Sequence, residues 1–198
     1  MIGKIDQELW QKGIIFCGID EVGRGALAGP VIACALILPP NSFFVNLRDS
    51  KKLSPQRREY FYKVIKKQAL AIGIGKASPQ EIDRFNIRNA TLLAMKRAAR
   101  KVLKKYPECK LALVDGSVAP KLKIESWPII KGDEKSTSIA CASIIAKVVR
   151  DQLMKRLAQY YPEYQFSIHK GYPTSRHREL LVKFGPSKIH RQSFTLVK

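Results

Sequence analysis

The sequence predicts a single α/β domain, on three observations. Short apolar runs that end in an acid or a glycine alternate with segments of helical periodicity. Two of the helical segments begin at a Ser-Pro pair, a hydroxyl cap followed by a first-turn proline. No stretch of the 198 residues reads as repeat, low-complexity tract or linker, and a hydrophobic content of 45% suits one packed core over residues 1–198.

The elements follow in order. Residues 3–12 fit a short helix with Ile5, Leu9 and Trp10 turned inward. An apolar strand then runs from residue 14 into Asp20 and Glu21, Gly23-Arg24-Gly25 makes a bend, and a returning strand at 30–38 is apolar on both faces, as a central strand is. Pro39-Pro40-Asn41 ends it, a loop runs through 47–53, and Ser54-Pro55 starts a helix to about residue 68 with Tyr60, Phe61, Val64 and Ile65 as its apolar stripe. Residues 70–77 alternate apolar residues with glycine, as a third strand. Ser78-Pro79 opens another helix, and 87–105 is helical with a basic outer surface, read as solvated for most of its charges. Strands at 110–114 and 124–130 end in Asp115-Gly116 and Lys131-Gly132-Asp133. A long helix over 134–159 stops at Pro162, 166–172 is irregular, and a last helix over 174–184 closes at Gly185-Pro186.

The formal charge of +20, with a pI near 10.0, points to nucleic acid as the partner ahead of an anionic membrane. No apolar run approaches the ~20 residues that span a bilayer, and the N-terminus lacks the apolar stretch of a signal peptide. A cytoplasmic protein without membrane attachment is expected. Cys17, Cys34, Cys109 and Cys141 sit in apolar surroundings without C-x-x-C spacing, which predicts reduced buried thiols and no structural zinc.

The chemistry lies in the strand ends. Asp20 and Glu21 at the end of a buried strand need a cation beside them. Gly23-Arg24-Gly25 next door offers backbone N–H groups and a guanidinium, both suited to an anion. Read alone, Glu21 and Arg24 are a surface ion pair, Asp115-Gly116 is a tight turn, and Asp133 is a helix cap. Together, three strands ending in acids bring four carboxylates to one place if the strands are neighbours. Oxygen ligands alone select hard divalent ions, so Mg²⁺ or Mn²⁺ is expected, and two such ions roughly 3.5–4 Å apart can hydrolyse a phosphodiester.

Several ordered segments together resemble the bacterial ribonuclease HII family over nearly the whole chain. They are residues 20–25 with Leu27-Ala28-Gly29-Pro30, then 49–53, Asp115-Gly116 and Lys131-Gly132-Asp133. Ser138-Ile139-Ala140, Ala142-Ser143-Ile144, Ala146-Lys147-Val148, Arg150-Asp151 and Tyr161-Pro162 follow, with His169-Lys170-Gly171-Tyr172, His190-Arg191 and Ser193-Phe194 after them. The resemblance implies a ribonuclease H-like fold, with a central mixed sheet flanked by helices and a C-terminal helical extension. It implies that Asp20, Glu21, Asp115 and Asp133 are the catalytic residues and hold two Mg²⁺ or Mn²⁺ ions. The implied activity cuts the RNA strand of RNA–DNA hybrids, and duplex DNA on the 5′ side of an embedded ribonucleotide, leaving a 3′-hydroxyl and a 5′-phosphate. Its task would be to start removal of misincorporated ribonucleotides.

By the same resemblance, Gly23, Arg24 and Gly25 sense the 2′-hydroxyl and Tyr172 packs on the sugar, in a loop that Pro173 stiffens where the family has glycine. A 2′-hydroxyl is the group that separates RNA from DNA, and glycines let backbone approach a ribose closely. Lys51, Lys52 and Lys147 are assigned to phosphates, and Asp151, next to Arg150, to a structural ion pair. The acids fall too early for the extra N-terminal domain of the third-type enzymes, which favours the second type. A monomer is expected and no partner protein is indicated, since the tail's likeness to a clamp-binding peptide is too loose to count. The alternative is a basic nucleic-acid-binding module without catalysis, which four embedded acids would only weaken. Another nuclease or integrase with a carboxylate sheet would not need a ribose sensor.

Overall fold

The computed structural model describes residues 3–44, 47 and 53–196. Lys51 and Lys52 lie outside the described residues. Helix α1 (Lys4–Gln11) leads into strand β1 (Phe16–Val22), followed by β2 (Val31–Ile37), α2 (Pro55–Gln68), β3 (Ala71–Ala77) and α3 (Pro79–Lys105). Strands β4 (Leu111–Asp115) and β5 (Glu125–Ile129) precede α4 (Gly132–Lys135), α5 (Thr137–Tyr160), α6 (Phe166–His169) and α7 (Ser175–Phe184).

The five strands form one sheet in the order β3-β2-β1-β4-β5. β1 and β2 are antiparallel, as the glycine-rich bend requires, while β1, β4 and β5 run parallel. The sheet is therefore mixed, and β1, β4 and β5 point their C-terminal ends to the same edge.

The strand alternation divides the core. From β2, Val31, Ala33, Ala35 and Ile37 face α3, where Ala90, Ala94, Ala98 and Val102 meet them. Cys34 and Leu36 face the other way, onto Phe61 and Ile65 of α2 and Ile144 and Ile145 of α5. A strand covered on both sides reads as an unbroken apolar run, and β2 does. All four cysteines are free and buried. Among the described residues no helix is long and apolar enough to cross a membrane.

Two helix boundaries differ from expectation. The segments starting at Pro79 and Ile87 form one element, kinked at Asn86, whose backbone adopts φ 64° and ψ 164°. The Asn86 side chain accepts the amide of Asn89 at 3.0 Å and so caps the second half. The helix expected over 134–159 is two, because Ser136 leaves helical geometry (φ −119°, ψ 127°) to accept the Ile139 amide and cap α5. Asp133 therefore lies within α4 and is not its cap.

A second cap on α5 comes from far away in sequence. The buried carboxylate of Asp6 accepts the amides of Thr137 and Ser138 at 3.0 and 2.9 Å and the Ser136 hydroxyl at 3.1 Å. Unpaired amides at a helix start suit an anion, and the bond ties α1 to the segment that follows Asp133.

Candidate active site

Strand register brings the acids together. Ile19 pairs with Val114 across parallel β1 and β4, so Asp20 and Asp115 are the next residues on adjacent strands. Asp115 in turn pairs with Ile129 of β5, four residues before Asp133. Carboxylate oxygens of Asp20, Glu21 and Asp115 lie within 4.8 Å of one another. Asp133 stands outside that trio, half-buried in α4, and the neighbouring Gly132 amide donates to Asp115 Oδ1 at 2.7 Å.

Charge is crowded here. Burial raises the Asp20 carboxyl well above the usual carboxylate range, and Glu21 and Asp115 push it further, against hydrogen bonds from Ser143 and the Glu21 amide. Burial also raises Glu21, while Arg24 pulls it down. Acids packed this way fit a cation site: the set offers oxygen ligands only, which suits a hard divalent ion, and such an ion would relieve the repulsion. The ion pair of Glu21 with Arg24 is present, at 3.4 Å between atoms on a largely exposed arginine and a mostly covered carboxylate, and it coexists with the cluster.

The Gly23–Gly29 loop beside the acids is braced by two buried arginines that have carbonyls, not carboxylates, as partners. Arg191 donates to Gly23 O at 2.6 Å, Arg24 O at 2.8 Å and Gly29 O at 2.9 and 3.0 Å. Arg150 donates to Ala28 O, Pro30 O and Lys170 O at 3.0, 3.1 and 2.9 Å. Burial lowers both guanidinium pKa values, that of Arg191 to about 9, where repulsion from Arg150 adds to the effect. A guanidinium held by several carbonyl dipoles nevertheless stays charged at neutral pH. With the carbonyls of Gly23 and Arg24 turned down onto Arg191, this stretch of loop backbone is fixed next to the acid cluster.

Tyr172 is half-buried, with the Arg150 guanidinium 5.2 Å and the Lys147 ammonium 5.6 Å from its ring centre. Lys147 also donates to Asp151 at 2.8 Å. Asp151 is an ion-pair residue as expected, but its partners are Lys147 and, at 3.7 Å, Arg58. Its neighbour Arg150 points the opposite way, because adjacent helix positions project to different faces.

Three buried histidines hold the Tyr172 backbone. Tyr172 O can only accept, so His177 Nδ1, at 2.9 Å, carries a proton. His177 Nε2 is then an acceptor for His190 Nε2–H at 3.0 Å, which leaves His190 Nδ1 to accept the Ser187 amide at 2.8 Å. His169 donates from Nε2 to Tyr164 O at 2.8 Å and accepts the Gly171 amide at 3.2 Å. One tautomer assignment satisfies all three neutral rings. Burial pushes His177 and His190 down to about 4, in keeping with neutrality.

The arginine braces and the histidine chain carry no assigned role in the sequence. Arg150 beside Asp151 reads as half an ion pair, and Arg191 enters only as part of the His190-Arg191 segment of the family resemblance. The available signal is the spacing of Arg and His among small and apolar neighbours, where a charged residue needs a structural reason.

The family model for ribonuclease HII matches residues 17–197. A ribonuclease HII of Caldanaerobacter subterraneus is 47% identical over 190 residues, covering 96% of this chain and 78% of that protein. One from Alkaliphilus metalliredigens is 47% identical over 195 residues, with 96% and 95% covered. Among solved structures, the ribonuclease HII of Archaeoglobus fulgidus, in complex with PCNA, superposes with a TM-score of 0.72 at 25% identity, over 93% of this chain and 97% of that one.

Proposed function

The chain belongs to the ribonuclease HII family, a family of metal-dependent ribonucleases, and on that premise we propose that it cuts the RNA strand of RNA–DNA hybrids and duplex DNA 5′ of an embedded ribonucleotide. The observation that carries the reading is the Asp20, Glu21 and Asp115 cluster at one sheet edge, with the braced Gly23–Gly25 backbone beside it. Asp20, Glu21, Asp115 and Asp133 are assigned to divalent cations, and Mg²⁺ or Mn²⁺ matches their oxygen-only chemistry. Two such ions, when bound, would activate a water and stabilise the leaving 3′-oxygen.

The chain's own residues do the rest. Arg24 and the Gly23 and Gly25 backbone approach the ribose, where a 2′-hydroxyl can both donate and accept. Tyr172, held from behind by His177, packs on the sugar. Lys147 supplies positive charge to a phosphate without sequence preference. Release of a 3′-hydroxyl and a 5′-phosphate next to a ribonucleotide fits the first step in its removal from DNA.

The test is cleavage of duplex DNA containing one ribonucleotide, with Mg²⁺, Mn²⁺ or EDTA. A single cut 5′ of the ribonucleotide that needs metal is expected. An intact duplex in both metals, with a continuous hybrid cut normally, would refute the embedded-ribonucleotide activity.

A further inference from the structure

We propose that the outer face of α3 is a second surface for nucleic-acid backbone, which holds the flank of the duplex beyond the segment at the carboxylates. A groove of about 1380 Å³ lies along the second half of α3, lined also by edge strand β3 and the segment leading into β5. Eight of its fourteen lining residues are lysine or arginine, and one, Glu81, is an acid. None of the four site carboxylates lines it.

Glu81 does not neutralise the groove. Its carboxylate is taken up by both Arg97 nitrogens, at 2.7 and 2.9 Å, and by the Ser78 amide at 2.9 Å. Lys96, Arg100, Lys104, Lys121 and Lys123 have no carboxylate partner among the described residues. Lys96, Arg100 and Lys104 stand at four-residue intervals, ~6 Å apart along the axis, and like charges at that spacing destabilise a helix. The helix dipole accounts for Lys104 in the last turn but not for Lys96 or Arg100.

A row of unpaired cations in a concave surface fits a polyanion of regular spacing. Duplex nucleic acid carries one charge per ~1.7 Å of axis. A protein partner fits less well: the apolar floor of Ile74, Leu103 and Leu122 offers no aromatic anchor, and lysine is depleted at protein interfaces. A membrane surface would need exposed apolar residues to insert, and the lining has none that is aromatic. The placement fits a flank. β3 runs in the same direction as β1, so Lys76 near its end lies toward the edge that carries the acids, and α3 leads away from there.

The surface is tested on uncut all-DNA duplexes of roughly 12 and roughly 40 base pairs in EDTA, so binding is read apart from cleavage. The titration spans 50 to 200 mM salt and compares wild type with Lys96→Gln/Arg100→Gln/Lys104→Gln. Three lost phosphate contacts lower the slope of log K against log salt by about 2.7, so the wild type should lose about 40-fold more affinity over that range on the long duplex. The short duplex should show little difference, and cleavage of a short hybrid should be unchanged. Lys121→Gln/Lys123→Gln, in a loop rather than the helix, should shift the long-duplex slope in the same direction. Equal slopes on the long duplex overturn the proposal, as do equal losses on both lengths.

Discussion

The guanidinium of Arg150 occupies the space that a side chain on Gly23 would need: a Cβ built on Gly23 stands 2.2 Å from Arg150 Nε. Gly23 also holds φ +95°, which L side chains rarely adopt. Gly25, two residues on, has open space around the same position.

These two glycines therefore separate folding from recognition. Gly23→Ala should cost on the order of 3 kcal/mol from strain and overpacking, seen as a lower urea midpoint. Gly25→Ala should keep wild-type stability yet raise KM for a duplex with one ribonucleotide, because its added methyl projects outward. Full activity of Gly25→Ala would remove that position from ribose recognition.

Arg191→Lys keeps the charge and loses the fork. Four buried acceptor contacts shrink to those one ammonium can reach, which leaves loop carbonyls unsatisfied at about 1–3 kcal/mol. Cleavage at an embedded ribonucleotide should fall further than metal binding does. Isothermal titration with Mn²⁺ alongside kinetics well below the melting temperature distinguishes this from general unfolding.

Asp20→Asn and Asp115→Asn should each lower kcat on the order of 10³-fold, since cation stabilisation of the reacting oxygens supplies several kcal/mol. In metal-free buffer, Asp20→Asn should instead melt about 2–4 °C higher, as relief of roughly 1 kcal/mol of repulsion does in a chain of this size. It should also lose most of the melting shift that Mg²⁺ gives the wild type. Scanning calorimetry with and without Mg²⁺ checks both effects.

The buried histidines set an acid limit. His177 and His190 have folded pKa values near 4, below the ordinary 6.5, so the unfolded chain binds protons first as pH falls. Their contribution is present above pH 6.5 and lost toward pH 4, at roughly 3 kcal/mol for each ring. Urea midpoints should drop across this window, and His190→Asn should flatten that dependence. An unchanged pH dependence in the variant would assign the slope to other groups.

Much of this was legible in the sequence because it rests on local signals. Apolar runs located all five strands, and Ser-Pro pairs located two helix starts. Acids at the ends of β1 and β4 located the Asp20, Glu21 and Asp115 cluster, while Asp133 lies four residues past β5 and outside that trio. Strand order was a different matter: that β1 lies between β2 and β4 depends on packing across the chain, and only the family resemblance implied a mixed sheet. The outward-facing lysines of α3 look alike in sequence whether solvated or gathered in a groove. Arg150 misled most, since adjacency to Asp151 suggested a pair that helix geometry forbids. Asp6 was silent too, because its three partners lie about 130 residues away.

The reach of Arg191 has a temporal side. Its bonds to Arg24 and Gly23 span 167 and 168 residues, so the loop waits in synthesis for an arginine made long after it. A chain released before that point could assemble its sheet and gather its acids while the adjoining loop stayed unheld. Fixing of the Gly23–Gly29 loop is thus coupled to the emergence of a residue 168 positions after Gly23.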